Sequence, residues 1–120
     1  MYTYSFEKLT VWKESKAFTL DIYTATSDFP DHEKFGLVSQ MRRASVSICS
    51  NIAEGSARRT AKEKAHFTTL SFSSAMEVLN QLILCHELDF IRFDEYFKLR
   101  AQLESITNKL NSLKIFQYKS

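Results

Sequence analysis

The chain has 120 residues, 44% of them hydrophobic, and a formal net charge of +2. Ten Phe, five Tyr and one Trp supply enough apolar material for the core of one domain. Two Gly and one Pro are too few for hairpins, Gly-rich phosphate loops or disordered linkers, which disfavours all-β and Rossmann-type folds. We expect one mostly helical domain over residues 1–120.

The two cysteines indicate the compartment. Cys49 and Cys85 have no neighbouring Cys or metal-spaced His, and the chain begins without a signal-peptide pattern. No run of about 18 apolar residues occurs, so we expect no membrane span. The sequence therefore predicts two free thiols in a reducing cytoplasm.

The first predicted helix runs from about residue 6 to residue 27. Its apolar positions repeat every three or four residues, which is typical of a seam against a partner helix. Proline at position 30 ends it, because the residue before a proline is pushed out of helical geometry. The seam contains Val11, Ser15, Phe18, Ile22, Ala25 and Phe29, and Trp12, Thr19 and Tyr23 widen it.

A second predicted helix begins between Asp31 and Leu37 and runs to about Glu54. Gly55 follows it, and we predict this glycine to be a left-handed C-terminal cap. The apolar stripe of this helix contains Leu37, Met41, Ala44, Ile48 and Ile52.

Two further helices complete the prediction. Thr60 and Glu63 have the spacing of a capping box, so the third helix opens there and continues to about Leu88. The fourth spans roughly Phe93 to Phe116. Short connections force successive helices to lie antiparallel, which predicts an all-α, antiparallel up-down four-helix bundle that self-associates.

A polar stripe lies beside the apolar stripe of the second helix. Its residues fall within an arc of roughly 80° on a helical wheel. Arg43 offers five donors, and its neighbours supply acceptors, which suits a buried hydrogen-bonded seam between helices or subunits. Glu54 also precedes Arg58 by four residues, the favoured order for a helical ion pair. The seam contains Gln40, Arg43, Ser47, Asn51 and Glu54, with Gly36 and Arg58 at its ends.

The same segment carries a family resemblance. Its signature residues are Phe29-Pro30, Glu33, Phe35-Gly36-Leu37, Gln40, Arg42-Arg43-Ala44, Ser47-Ile48, Asn51-Ile52-Ala53-Glu54-Gly55 and Arg58. This run resembles the four-helix-bundle family of 23S ribosomal RNA intervening-sequence proteins. Further matches are Phe6, Leu9 and Val11-Trp12 at the start of the chain, and Ser74, Glu77 and Gln81-Leu82 in the third helix.

The resemblance implies a fold and an assembly but no proven activity. It implies a homopentameric ring of bundles, and it extends distantly to the accessory protein of diversity-generating retroelements, which partners a reverse transcriptase and binds nucleic acid. Cys49 stands where many relatives have Pro, so a kink imposed by that proline is not expected here.

The positive charge of the chain is concentrated in its middle. Residues 34–64 contain seven Lys or Arg against two Glu, so the rest of the chain is net acidic. Helix amino ends favour anions, and a ring would repeat this segment into a basic collar around residues 42–64. An ordinary solvated turn is the alternative. The candidate RNA contacts are Arg42, Arg43, Arg58, Arg59 and Lys62.

Other reactive side chains form no recognisable site. His32, His66 and His86 lack the spacing of zinc ligands, and no nucleophile, base and orienting group can be assembled. We expect no metal, no cofactor and no small-molecule substrate. We expect the hydroxyl-rich residues 68–74 to serve helix packing. The sequence thus favours a non-enzymatic oligomer that associates with structured or ribosomal RNA, or with a nucleic-acid-processing protein. The alternative is a protein-interaction scaffold that uses exposed aromatics such as Phe90 and Phe93.

Overall fold

A computed structural model describes residues 1–119, which form four α-helices and no β-strand. The predicted all-α class is confirmed. None of the helices in this part of the chain combines the length and the apolar character that a membrane crossing requires. The helices are α1 (Thr10–Thr26), α2 (Ser39–Ser56), α3 (Ala61–Glu87) and α4 (Phe93–Lys119).

The core contains the apolar seams predicted for α1 and α2. In α3, however, the predicted apolar residues Leu70, Met76 and Ile83 are exposed, and smaller side chains such as Ala75, Val78 and Cys85 are buried instead. In α1 the buried positions include Phe18 and Ile22, and each of the other helices supplies fully buried aliphatic side chains to the same cluster. Burying one such side chain contributes about 1.5–3 kcal/mol. The largest buried aliphatic residues of α2, α3 and α4 are Met41, Ile48, Leu82, Leu99, Leu103, Ile106 and Leu110.

Small side chains bring α2 and α3 close together. Ser71 Oγ donates to the carbonyl of Ile48 at 2.9 Å, and Cys85 Sγ lies 3.4 Å from Met41 Sδ. Residues later in α3 thus meet residues earlier in α2, so the two helices run in opposite directions. Thr69 also donates to the carbonyl four residues before it, at 3.0 Å. These bonds agree with the packing role expected for the hydroxyl-rich stretch.

The junction between α1 and α2 is longer than predicted. A 3₁₀ turn at Asp31–Glu33 and a π-type turn at Lys34–Val38 precede α2, which therefore begins at Ser39. Glu33 Oε1 accepts a hydrogen bond from the amide of Leu37 at 3.4 Å and fills the space beside Gly36. A Cβ at position 36 would lie 2.8 Å from that oxygen, so a larger residue there would displace the Glu33 carboxylate from the Leu37 amide.

The predicted C-cap role of Gly55 is wrong. Gly55 lies inside α2 and is buried, and the residue that ends the helix is Ala57, in ordinary right-handed geometry. The glycine is required for space, since a Cβ at this position would lie 2.8 Å from the Cβ of Phe67 on α3.

The ends of α3 show one expected and one unexpected cap. Thr60 Oγ1 accepts from the amide of Glu63 at 3.1 Å, which confirms the N-cap half of the predicted capping box. The reciprocal half is not formed among residues 1–119, because Glu63 Oε1 accepts from the Thr60 hydroxyl and not from its amide. At the other end Asp89, with φ of 60°, takes the left-handed position that glycine usually occupies. The amide of Phe90 then donates to the carbonyl of Cys85 at 2.9 Å and closes the helix.

Candidate nucleic-acid interface

Helix α2 separates the five predicted RNA contacts into two groups. Arg42 and Arg43 lie in its first turns, whereas Arg58, Arg59 and Lys62 lie at or beyond its other end. From Arg43 to Ser56 the helix rises about 20 Å. Within one chain the basic segment is therefore two patches and not one continuous surface.

The first patch lies where α2 begins, and we call it the α2-start patch. Arg42 has a structural role in it: its Nε donates to Thr26 Oγ1 at 3.0 Å and its Nη2 donates to the carbonyl of Tyr23 at 3.2 Å. The guanidinium also lies 4.6 Å from the centre of the Tyr23 ring. Arg43, the next residue, is exposed. The patch consists of Tyr23, Lys34, Phe35, Arg42 and Arg43.

Aromatic side chains are interleaved with the cations of the α2-start patch. Phe35 is 89% exposed, and Lys34 Nζ lies 5.7 Å from its ring centre. The five residues border a shallow depression of about 370 Å³. Exposed rings beside cations can stack bases while the cations hold phosphates. The sequence interpretation missed both rings, because Tyr23 was assigned to the core seam and Phe35 only to the family signature.

The second patch, the turn patch, lies between α2 and α3. Arg58 lies over the Phe67 ring, 4.5 Å from its centre, and Arg59 and Lys62 are exposed. The predicted Glu54–Arg58 ion pair is not formed among residues 1–119. The reason is that α2 ends at Ser56, so Arg58 is no longer one helical turn from Glu54. The patch consists of Arg58, Arg59, Lys62 and Lys64.

The predicted polar seam is only partly satisfied within the chain. Asn51 Nδ2 donates to the carbonyl and to Oγ of Ser47, at 2.9 and 3.0 Å, and Ser74 Oγ of α3 donates to Ser47 Oγ at 2.9 Å. Gln40, Arg43 and Glu54, however, are exposed. In the described part of the chain no hydrogen bond joins Arg43 to the acceptors predicted for it. The seam therefore presents Arg43 to solvent.

A mixed stripe on α3 runs beside this seam. Gln81 is 3% exposed, and its Nε2 donates to Glu77 Oε2 at 3.3 Å. One and two turns farther along the same face lie the exposed side chains of Leu84 and Leu88. Polar and apolar groups are thus left together on one surface, a composition typical of protein interfaces.

Cys85 is buried and Cys49 is partly buried, and both thiols have a raised pKa. Burial and, to a smaller extent, the nearby charge of Glu33 raise the pKa of Cys85 to about 11. Burial also raises the pKa of Cys49, whose Sγ lies 3.5 Å from Thr19 Oγ1. Neither thiol has the lowered pKa of a nucleophile. Across residues 1–119 there is no cluster of three His, Cys, Asp or Glu side chains that could hold a metal ion.

Comparison with known proteins identifies the family. The model of the 23S rRNA-intervening sequence protein family matches residues 7–112. The chain belongs to this family. The matched range includes both basic patches and the whole polar seam, so these surfaces lie within the region that defines the family. None of the curated proteins matches the sequence.

A solved structure supports the fold of this intervening-sequence family member. It is the crystal structure of a protein with unknown function from the S23 ribosomal protein family of Bacteroides thetaiotaomicron. The TM-score is 0.79 at 20% sequence identity, and the similarity covers 88% of this chain and 98% of that chain. At this identity the likeness shows a shared fold.

Proposed function

We propose that this chain is a non-enzymatic RNA-associating protein whose two basic patches bind the RNA backbone. The observation that carries the proposal is the α2-start patch. There the exposed rings of Phe35 and Tyr23 border the same depression as the cations Lys34 and Arg43. Cations that neutralise phosphates release counterions, and flanking rings stack unpaired bases. Arg42 is assigned to structure, because it is bonded to the end of α1.

Self-association brings the basic patches of several copies into one assembly. We propose that copies meet through the exposed stripe of α3 and the part of the polar seam around Ser47 and Asn51, which leaves Arg43 open to RNA, in the five-membered ring that the family resemblance implies. Each ring would then repeat both patches around its axis. Sedimentation velocity of Leu84→Glu, with Leu20→Glu on the exposed face of α1 as the matched control, tests this surface. The first variant should sediment as a monomer and the second as the wild type; the reverse result would contradict the interface.

RNA binding is tested by fluorescence anisotropy with a single-stranded segment of 23S rRNA at several salt concentrations. We expect affinity to fall steeply between about 50 and 200 mM salt, with a log–log slope of about −0.7 for each phosphate contact. Arg43→Ala and Arg59→Ala should each weaken RNA binding and reduce the salt slope. Lys13→Ala removes an exposed cation from α1 and is the control. It should change the affinity and the slope only by the effect of net charge. Absence of binding at low salt would overturn the proposal.

A protein-interaction scaffold is the second candidate, and an exposed aromatic pair favours it. Phe93 and Phe97, on the first turns of α4, are each 65% exposed, with ring centres 6.2 Å apart. Phe90, also predicted as an exposed grip, instead packs on Phe29 with 5.7 Å between ring centres. Reversing charge at Arg58 and Arg59 should abolish RNA binding under the first proposal and leave protein partners unchanged under the second. Either role fits a cytoplasmic location, where Cys49 and Cys85 stay reduced.

A further inference from the structure

A cavity lies at the end of the molecule where the turn patch meets the two chain termini. Its volume is about 320 Å³, within the range of small-molecule sites. The N-terminal turn, the start of α3 and the last turns of α4 form its walls. The α2-start patch lies at the opposite end of α2, so this cavity is separate from it.

The polar wall of the cavity consists largely of hydrogen-bond donors. Arg59 and Lys64 line it, and neither side chain can accept a hydrogen bond. Gln117 lines it too and is only 9% exposed. The Oε1 atom of Gln117 accepts from Thr68 Oγ1 at 2.7 Å, which leaves the Nε2 amide without a partner among residues 1–119.

Backbone donors at the start of α3 add to this wall. The hydroxyl of Thr60 accepts from the amide of Glu63, and the carbonyl of Thr60 accepts from the amide of Lys64. The amides of Ala61 and Lys62 therefore have no partner within the helix, and Ala61 borders the cavity. Free amides and the positive end of a helix favour a phosphate. Gln117 is nine-tenths buried and lines the cavity, and its unpaired amide is an independent sign that an acceptor belongs there.

The opposite wall is apolar. Leu9, Leu113 and Phe116 line the cavity together with the donors. An inorganic anion would use only one side of such a site, whereas a nucleotide presents a phosphate at one end and an apolar base face at the other.

We propose that this cavity binds one nucleoside monophosphate unit. Its phosphate lies against Arg59, Lys64 and the first amides of α3, and its base lies against Leu113 and Phe116. The inference rests on the proposed RNA function and deepens it, because the unit can be one residue of an RNA chain or a free mononucleotide.

The test uses the whole 120-residue chain, labelled with ¹⁵N, and four separate probes: AMP, CMP, inorganic phosphate and cytidine. We expect both nucleotides to shift the amide signals of Ala61 and Lys62 and the side-chain NH₂ signal of Gln117. Both should bind at least about tenfold more tightly than phosphate or nucleoside alone, since each of these lacks one half of the contacts. Equal affinity for phosphate and CMP, or no shift at these three signals, would overturn the proposal.

Gln117→Glu is the decisive variant. It keeps the oxygen that accepts from Thr68 but replaces the free donor with a second carboxylate oxygen, which repels phosphate. We expect nucleotide affinity to fall at least about tenfold, as for loss of one hydrogen bond to a charged group. Asn108→Asp makes the same amide-to-carboxylate change on the exposed surface of α4 and should leave affinity unchanged. Equal losses in the two variants would contradict the site.

The RNA measurement separates this proposal from the one on which it rests. RNA binding that survives while all four probes fail to bind overturns the cavity and leaves the patches as the RNA surface. Nucleotide binding without RNA binding supports the cavity as a site for free mononucleotides and overturns the RNA function. Competition of RNA by CMP supports a shared site on the RNA chain.

Discussion

Gly55 of α2 and Phe67 of α3 lie back to back, so close that a Cβ on the glycine would stand 2.8 Å from the Cβ of Phe67. The Phe67 Cβ is fixed to its own backbone and cannot rotate away. The two helices reach this spacing only because position 55 has no side chain. The guanidinium of Arg58 lies over the ring of the same Phe67, 4.5 Å from its centre.

Gly55→Ala should therefore destabilise the protein although alanine is the better helix former. Overpacking costs about 1–3 kcal/mol, which exceeds the gain of about 1 kcal/mol from helix propensity. Urea unfolding measures the net effect. Ser50→Ala, at an exposed position of α2, lacks the clash and should not destabilise the protein. Equal or higher stability of Gly55→Ala would show that α2 and α3 are not held at this spacing.

Neighbouring arginines should behave differently. Arg42→Ala removes two hydrogen bonds to the end of α1 and the contact with Tyr23, so we expect unfolding free energy to fall by about 1–3 kcal/mol. Arg43→Ala changes an exposed side chain and should stay within about 0.5 kcal/mol of the wild type. Chemical unfolding of both variants checks this. Similar losses would place Arg43 in a structural contact and weaken its role in RNA binding.

The sequence predicted the features that periodicity and local chemistry decide. The α1 seam through Phe18 and Ile22 is buried because its spacing keeps those side chains on one face. The Thr60 cap follows from a hydroxyl that reaches a backbone amide within one turn. Both depend on residues close in the chain.

Features that depend on contacts between distant residues were missed. Gly55 lies before polar residues and a helix end, as a cap does, and only the position of α3 shows that it is a spacer. Gln117 reaches the cavity wall because α4 runs past the start of α3, 49 residues away from Thr68 in the chain. Tyr23 was assigned to the core seam, and only the packing of α1 against α2 shows that its ring lies beside Arg42.

Asp89→Gly should stabilise the protein. Asp89 holds φ of 60°, a conformation that costs an L-residue roughly 1–2 kcal/mol and glycine almost nothing. Part of this gain is offset by the greater freedom of glycine in the unfolded chain, so we expect a rise of a few tenths to about 1 kcal/mol. Glu87→Gly, in the right-handed last turn of α3, should instead lower stability by about 1 kcal/mol. Thermal unfolding compares the two, and the same sign for both would contradict the left-handed cap.

An ion pair between α1 and α4 should make stability depend on pH. Lys109 Nζ lies 2.9 Å from Glu14 Oε2, and Ser105 Oγ donates to Glu14 Oε1 at 2.8 Å. Burial raises the pKa of Glu14, but the bonds from Lys109 and Ser105 and the charge of Lys109 outweigh it, so the pKa lies below its usual value. The carboxylate therefore stabilises the fold above its unfolded pKa of about 4.3, and this contribution is lost as pH falls through the lower folded pKa.

Glu14→Gln should lower the free energy of unfolding by about 0.5–1 kcal/mol near neutral pH, because the pair is only partly buried. The difference from the wild type should shrink as pH falls below about 4, where both chains lack the charge. Glu104→Gln, on an exposed face of α4, is the control and should show no such pH-dependent gap. Urea unfolding across this pH range measures both variants. If the lower unfolding free energy of Glu14→Gln persisted unchanged at low pH, the charge of Glu14 would not be what holds α1 against α4. Shape and hydrogen bonding at this site would then hold the two helices together.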